Sequence, residues 1–133
     1  MPTIYRGVHF SIQHHSASAY MRVVRSEVPI DSVTDAIKGF EACRAALSSV
    51  AVCEPGILFD WRRSPMSTDP NLHKLLATRI DELALPFARR AILLATTVGT
   101  MQASRVGRTL GNQEMSVFDD ETAAVEFVTD RSP

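Results

Sequence analysis

Three short apolar runs, each followed by a turn or helix-start signal, constrain this chain most. They are Ile57-Leu58-Phe59, the stretch Arg90 to Thr96 centred on Ile92, Leu93 and Leu94, and Met115, Val117 and Phe118. The first two are continuous enough to suit strands covered on both faces, and the third reads as a short strand. Between them the apolar residues recur at steps of three and four, as on one face of a helix. Strands alternating with helices imply parallel pairing through right-handed helical crossovers.

The chain opens differently. Gly7 to His15 alternates, with Val8, Phe10 and Ile12 on one side and His9, Ser11 and Gln13 on the other. Ser16, Ala17 and Ser18 supply a turn, and Tyr20 to Ser26 a second β-rich run, so an antiparallel hairpin is expected. Arg22 and Arg25 imply that this second strand is covered on one face only. After Pro29, Asp31 or Ser32 can cap a helix that places Val33, Ile37, Phe40, Cys43 and Leu47 on one face and runs to about Ser49.

The sharpest helix start is Asp69-Pro70, a capping side chain followed by a residue with fixed φ and no N–H to satisfy. Leu72, Leu75, Leu76, Ile80 and Leu83 form its stripe, and Pro86 ends it. A third helix is expected over Val98 to Leu110, weakened by Gly107 and closed by Gly111. In a last helix Ala124, Phe127 and Val128 face inward, with Asp119 to Glu121 at its positive end. The expected architecture is a single α/β domain over residues 1–133, with a mixed, mostly parallel five-stranded sheet and about four helices. Its core spans about 7–128, and 129–133 form a frayed tail.

A chain of 133 residues can bury one core without disulfides or metals. Its formal charge of −1 argues against a protein built to coat nucleic acid or an anionic membrane. Distribution is more informative than the sum. Residues 83–113 hold Arg89, Arg90, Arg105 and Arg108 without an acid, whereas residues 114–133 carry six acids against Arg131. Cys43 and Cys53 lack metal-ligand spacing and read as reduced thiols, and with no secretory pattern at the start a cytoplasmic location is expected. No apolar run is long enough for membrane insertion.

Ligands of open α/β sheets meet the loops at the carboxyl ends of the strands. Those loops are Asp60 to Asp69, Thr96 to Thr100 and Asp119 to Glu121. In the first, Trp61, Arg62 and Arg63 are candidate partner-binding residues, because Trp and Arg are enriched at interface hot spots and guanidinium groups hold carboxylates or phosphates. The competing reading makes Trp61 core and the arginines solvated. Ser64, Ser67 and Thr68 are candidate phosphoacceptors, since a phosphate beside two arginines and a helix start would reorder the loop. Arg105 and Arg108 extend the candidate binding face.

Catalytic chemistry has little support. The phosphate-loop lysine and a dinucleotide-type run of three glycines are both missing. His14 and His15 are adjacent and point to opposite sides of a strand, His9 and His73 lack a partner motif, and Asp81 and Glu82 do not form a facing carboxylate pair. No Ser, Cys or Thr lies in a nucleophile motif. No metal, cofactor or catalytic turnover is expected.

Three phrases carry a family resemblance: Ile57-Leu58-Phe59-Asp60, then Leu83 to Leu94 (Leu-Ala-Leu-Pro-Phe-Ala-Arg-Arg-Ala-Ile-Leu-Leu), and Val117-Phe118-Asp119-Asp120-Glu121-Thr122-Ala123-Ala124. With the element order, they resemble the STAS domains of anti-sigma factor antagonists, in particular the SpoIIAA-like relatives. The resemblance implies a regulatory or scaffolding domain that binds a protein, such as a serine kinase or anti-sigma-type regulator, or a second copy of itself. Phosphorylatable members carry Asp-Ser-Ser or Asp-Ser-Thr followed by Gly after the middle strand. Here that loop reads Asp60-Trp61-Arg62-Arg63-Ser64-Pro65-Met66-Ser67-Thr68-Asp69, so the motif is absent. The resemblance also keeps a second class in view, a carrier or sensor of a small apolar or lipid-like ligand.

Overall fold

Six strands assemble in chain order into one mixed sheet, β1 (Thr3–Arg6), β2 (Phe10–His15), β3 (Tyr20–Arg25), β4 (Gly56–Asp60), β5 (Arg89–Leu93) and β6 (Ser116–Phe118). This is a computed structural model, and it describes residues 3–15, 20–30, 32–49, 56–64, 70–95 and 115–129. β1, β2 and β3 pair antiparallel, and β3 to β6 run parallel. The described helices are α1 (Val33–Ser49), α2 (Pro70–Ala84) and α3 (Glu121–Thr129).

The mixed α/β sheet and opening hairpin agree with expectation, but the strand count of five does not. Thr3–Arg6 adds a sixth strand by pairing across β2, with a register shift between Thr3 and Tyr5. The expected helix over Val98–Leu110 lies outside the described residues, as do Cys53 and the tail after Thr129.

Pleating gives the sheet two unlike faces. One carries Phe10 and Ile12 of β2, Met21 and Val23 of β3, Ile57 and Phe59 of β4 and Ile92 of β5, and it packs on Phe40 and Cys43 of α1 and Ile80, Leu83 and Ala84 of α2. β3–α1–β4 and β4–α2–β5 step across the sheet in the same direction, so right-handed crossovers place both helices on this face. The opposite face gathers Tyr20, Leu58, Ala91 and Leu93 against Ala124 and Val128 of α3.

Local chemistry sets the helix ends. Ser32 caps α1: its Oγ accepts from the Asp35 amide at 3.1 Å and its carbonyl from Ala36. The contact face of α1 is shorter than expected. Ala36, Phe40 and Cys43 are buried, whereas Val33 in the first turn is exposed and Ile37 and Leu47 are half-buried. α2 begins at Pro70 and buries Leu72, Ile80 and Leu83. Arg90 then folds back, donating from Nε to the Phe87 carbonyl and from Nη2 to the Leu85 carbonyl, which closes the turn into β5. Arg89 lies 5.0 Å from the centre of the Phe127 ring. Half of the acid-free arginine stretch thus has a structural role.

Two strand expectations are corrected. Val8 does not face the core with Phe10 and Ile12. It is 68% exposed, because the Gly7 amide donates to the Phe10 carbonyl in a turn before β2 begins. β3 is covered on both faces: Arg22 and Arg25 are buried on opposite sides of it. Arg25 donates from Nη1 to the carbonyls of Ser26 and His9, and its guanidinium sits 5.6 Å from the Phe10 ring centre. Burial lowers its pKa.

Candidate functional site

Parallel strands end where helices begin, so the carboxyl ends of β4 and β6 bring Asp60 and Glu121 to one corner of the α3 face. The residues that follow β6 build the first turn of α3. Asp120 accepts from the Ala123 amide through Oδ2 at 2.8 Å and from the Ala124 amide through its carbonyl at 3.1 Å. With Asp120 as cap, Glu121 is free to reach toward the sheet rather than its own helix terminus.

There it meets two arginines. Arg22 of β3 donates from Nη2 to Glu121 Oε1 at 2.9 Å, and Arg62, just past β4, donates from Nη1 to Glu121 Oε2 at 3.0 Å. Asp60 completes the ring. Its carboxylate accepts two bonds from Arg62, Nε to Oδ1 at 3.0 Å and Nη2 to Oδ2 at 2.8 Å, and lies 3.4 Å from Arg22 Nη2. The Arg62 amide also donates to Asp60 Oδ1. Two cations and two anions close on one another, with the bidentate geometry that favours guanidinium over ammonium.

Burial divides the four unequally. The side chains of Arg22 and Asp60 are 10% and 9% exposed, against 38% for Arg62 and 45% for Glu121. Burial acts to raise the pKa of Asp60. Hydrogen bonding and charge from Arg62, and then charge from Arg22, more than reverse this and hold the carboxyl below its ordinary value. The Arg22 hydrogen bond likewise holds Glu121 low, against a smaller effect of burial. Hydrogen bonding to Asp60 raises Arg62, so Asp60, Glu121 and Arg62 remain charged at neutral pH. One donor of the ring is left over: among the described residues Arg22 Nε is buried without a hydrogen-bond partner.

The polar cluster continues along β2 and β3. His15 stacks on Tyr20 with ring centres 4.4 Å apart, and Gln13 Oε1 lies 3.2 Å from His15 Nε2. Burial, followed by the nearby Arg22 charge, pushes the His15 pKa down, and burial pushes Tyr20 up. A neutral imidazole and a neutral phenol therefore flank the charged ring.

Of the residues expected to bind a partner, Trp61 lies inside the core at 7% exposure. Its ring centre is 5.9 Å from Phe10 and 5.6 Å from Phe59. Arg62 belongs to the ion-pair ring and Arg63 is exposed beside it. Ser64 is half-buried, with its amide donating to the Trp61 carbonyl. Arg105, Arg108, Ser67 and Thr68 lie outside the described residues. The structure thus joins Arg62, after β4, to the Asp119–Glu121 loop and adds Arg22, which is not among the residues expected to bind a partner. No local signal marks Arg22, because Asp60 and Glu121 reach it from distant parts of the chain.

On the other face a cleft of about 320 Å³ lies between β2 and α1, lined by Tyr5, Val8, His9, Phe10, Asp35, Lys38 and Gly39. Among the described residues no three His, Cys, Asp or Glu side chains converge as a metal site, and no helix is long and apolar enough to cross a membrane. No protein-family model, curated protein or solved structure matches the chain.

Proposed function

We propose that the protein is a regulatory or scaffolding module that acts by binding a protein partner at the carboxyl end of its sheet, through Arg62 and Arg63. The observation that carries this reading is the way Asp60 grips Arg62. Two charge-assisted bonds of 3.0 and 2.8 Å to a buried carboxylate fix the guanidinium while its side chain remains 38% exposed. An interface arginine ordered before binding loses less freedom when a partner arrives. The resemblance to STAS domains supports the same class of activity and suggests a serine kinase or anti-sigma-type partner, with self-association as a further mode. Trp61 contributes from beneath the loop as a rigid support for the arginines that follow it. A cytoplasmic, non-catalytic role accords with this reading.

Affinity capture from the native cell tests it. The wild-type chain should recover a reproducible partner that is lost with an Arg62→Ala/Arg63→Ala variant of unchanged fold. Equal recovery by the variant refutes the assignment.

A second reading, a carrier of a small apolar or lipid-like ligand, draws on the cleft between β2 and α1. Its size reaches the lower end of the range for small-molecule sites, and Val8 and Phe10 line it. Native mass spectrometry of the purified protein checks it, since a carrier retains a bound small molecule and an empty chain excludes tight carriage.

A further inference from the structure

We infer that Glu121 is an internal stand-in for a carboxylate of the partner, and that an acidic protein segment binds by replacing it between Arg22 and Arg62. This rests on the reading that Arg62 and Arg63 form the partner-binding face.

The geometry distinguishes the two acids of the ring. Asp60 is buried and holds Arg62 through paired bonds, whereas Glu121 is 45% exposed and bridges the two arginines by one oxygen each, at 2.9 and 3.0 Å. Glu121 can therefore leave without dismantling what Asp60 organises. Its departure exposes two guanidinium groups already aimed at one bridging carboxylate. Within the ring itself Arg22 and Arg62 then face Asp60 alone, a formal charge of +1.

Arg22 supplies independent support. Its side chain is nine-tenths buried and its Nε has no hydrogen-bond partner among the described residues. Arg25 Nε is buried in the same state, but Arg22 Nε shares its guanidinium edge with the Nη2 that Glu121 holds, so it is a bonding capacity that Glu121 does not fill. A carboxylate approaching from a partner is not bound by the reach of a side chain anchored on α3, and it can engage Nε as well as Nη2. Because Asp120 rather than Glu121 caps α3, the exchange leaves the helix start intact.

The test titrates the full chain with a capped Gly-Glu-Glu-Gly peptide, following backbone amides and the Arg22 and Arg62 side-chain Nε signals by NMR. If Glu121 occupies the arginines about 90% of the time, Glu121→Gln tightens peptide binding by about tenfold. Adding Arg62→Ala should abolish the gain. Glu126→Gln removes an equal charge from the same helix at an exposed position outside the ring and should leave affinity unchanged. Circular dichroism and Trp61 emission confirm that each variant is folded. The inference is overturned if Glu121→Gln binds as the wild type does, if Glu126→Gln gains equally, or if only a phosphoserine counterpart of the peptide gains. Partner capture that depends on Arg62 and Arg63, with no gain from Glu121→Gln, would refute the exchange and retain the binding face. The converse would leave an anion site and refute the partner.

Discussion

Arg22 and Glu121 stand 99 positions apart and meet at 2.9 Å, joining the third strand to the start of the last helix. Around that contact the fold does two things at once. It buries one arginine and one aspartate as a structural pair, and it leaves a second arginine and a glutamate at the rim.

Stability should follow this division. Asp60→Asn removes the buried anion and leaves Arg22 without its interior counter-charge, which costs about 3 kcal/mol. Glu121→Gln, at the exposed side of the ring, costs about 1 kcal/mol or less. Urea unfolding followed by Trp61 emission measures both, and the ordering of the two variants is the expected result.

Acid should destabilise the protein in two stages. The folded-state pKa of His15 lies below its ordinary 6.5, so the unfolded chain takes up that proton first and stability falls as pH drops below about 6.5. Asp60 and Glu121 are held below 3.8 and 4.5, so their contribution is complete above those values and is lost as pH falls through the lower folded pKa values. Unfolding free energies against pH should show His15→Gln removing the early stage and Asp60→Asn flattening the later one.

Much of the scaffold was legible because its signals are local. Pro70 and the leucine stripe after it mark α2, Ser32 marks the start of α1, and Ile57-Leu58-Phe59 marks a strand buried on both sides. β1 was missed because Thr3–Arg6 is too short to display a period and owes its structure to pairing with β2. Val8 fits the alternation of a strand, yet the hydrogen bond from Gly7 to Phe10 turns the chain before pairing starts. The site was legible by halves. Loop position identified Arg62 and the Asp119–Glu121 segment, but nothing near Arg22 shows that it is buried, since its partners Asp60 and Glu121 come from distant parts of the chain. Trp61 beside two arginines reads equally well as an anchor or as core until Phe10 and Phe59 are placed around it.

Trp61 and Arg63 should consequently separate by phenotype. Trp61→Ala removes a buried ring packed on two phenylalanines and costs about 3–5 kcal/mol. Arg63→Ala, at an exposed position, should change stability by less than about 0.5 kcal/mol. Thermal melts by circular dichroism provide the comparison, which for Trp61→Ala does not depend on its own fluorescence.

Gly56 begins β4 directly beneath the end of α3. A β-carbon there meets the Val128 carbonyl and lies 2.8 Å from the Val128 Cβ. Because the obstacle includes backbone, Gly56→Ala must displace α3 from the sheet, at a cost of about 1–3 kcal/mol. Since α3 carries Glu121, the same variant should perturb the NMR signals of the Arg22 and Arg62 side chains.

The central claim is that buried Asp60 prepares Arg62 for a partner. The most direct measurement is the affinity of the captured partner for the wild type, Asp60→Asn, Arg62→Ala and the double variant, at a temperature where all four are folded. The account predicts that either single change weakens binding and that the double variant is no weaker than Arg62→Ala alone, because Asp60 acts through Arg62. Unchanged affinity on losing Arg62, or losses that simply add, would contradict it.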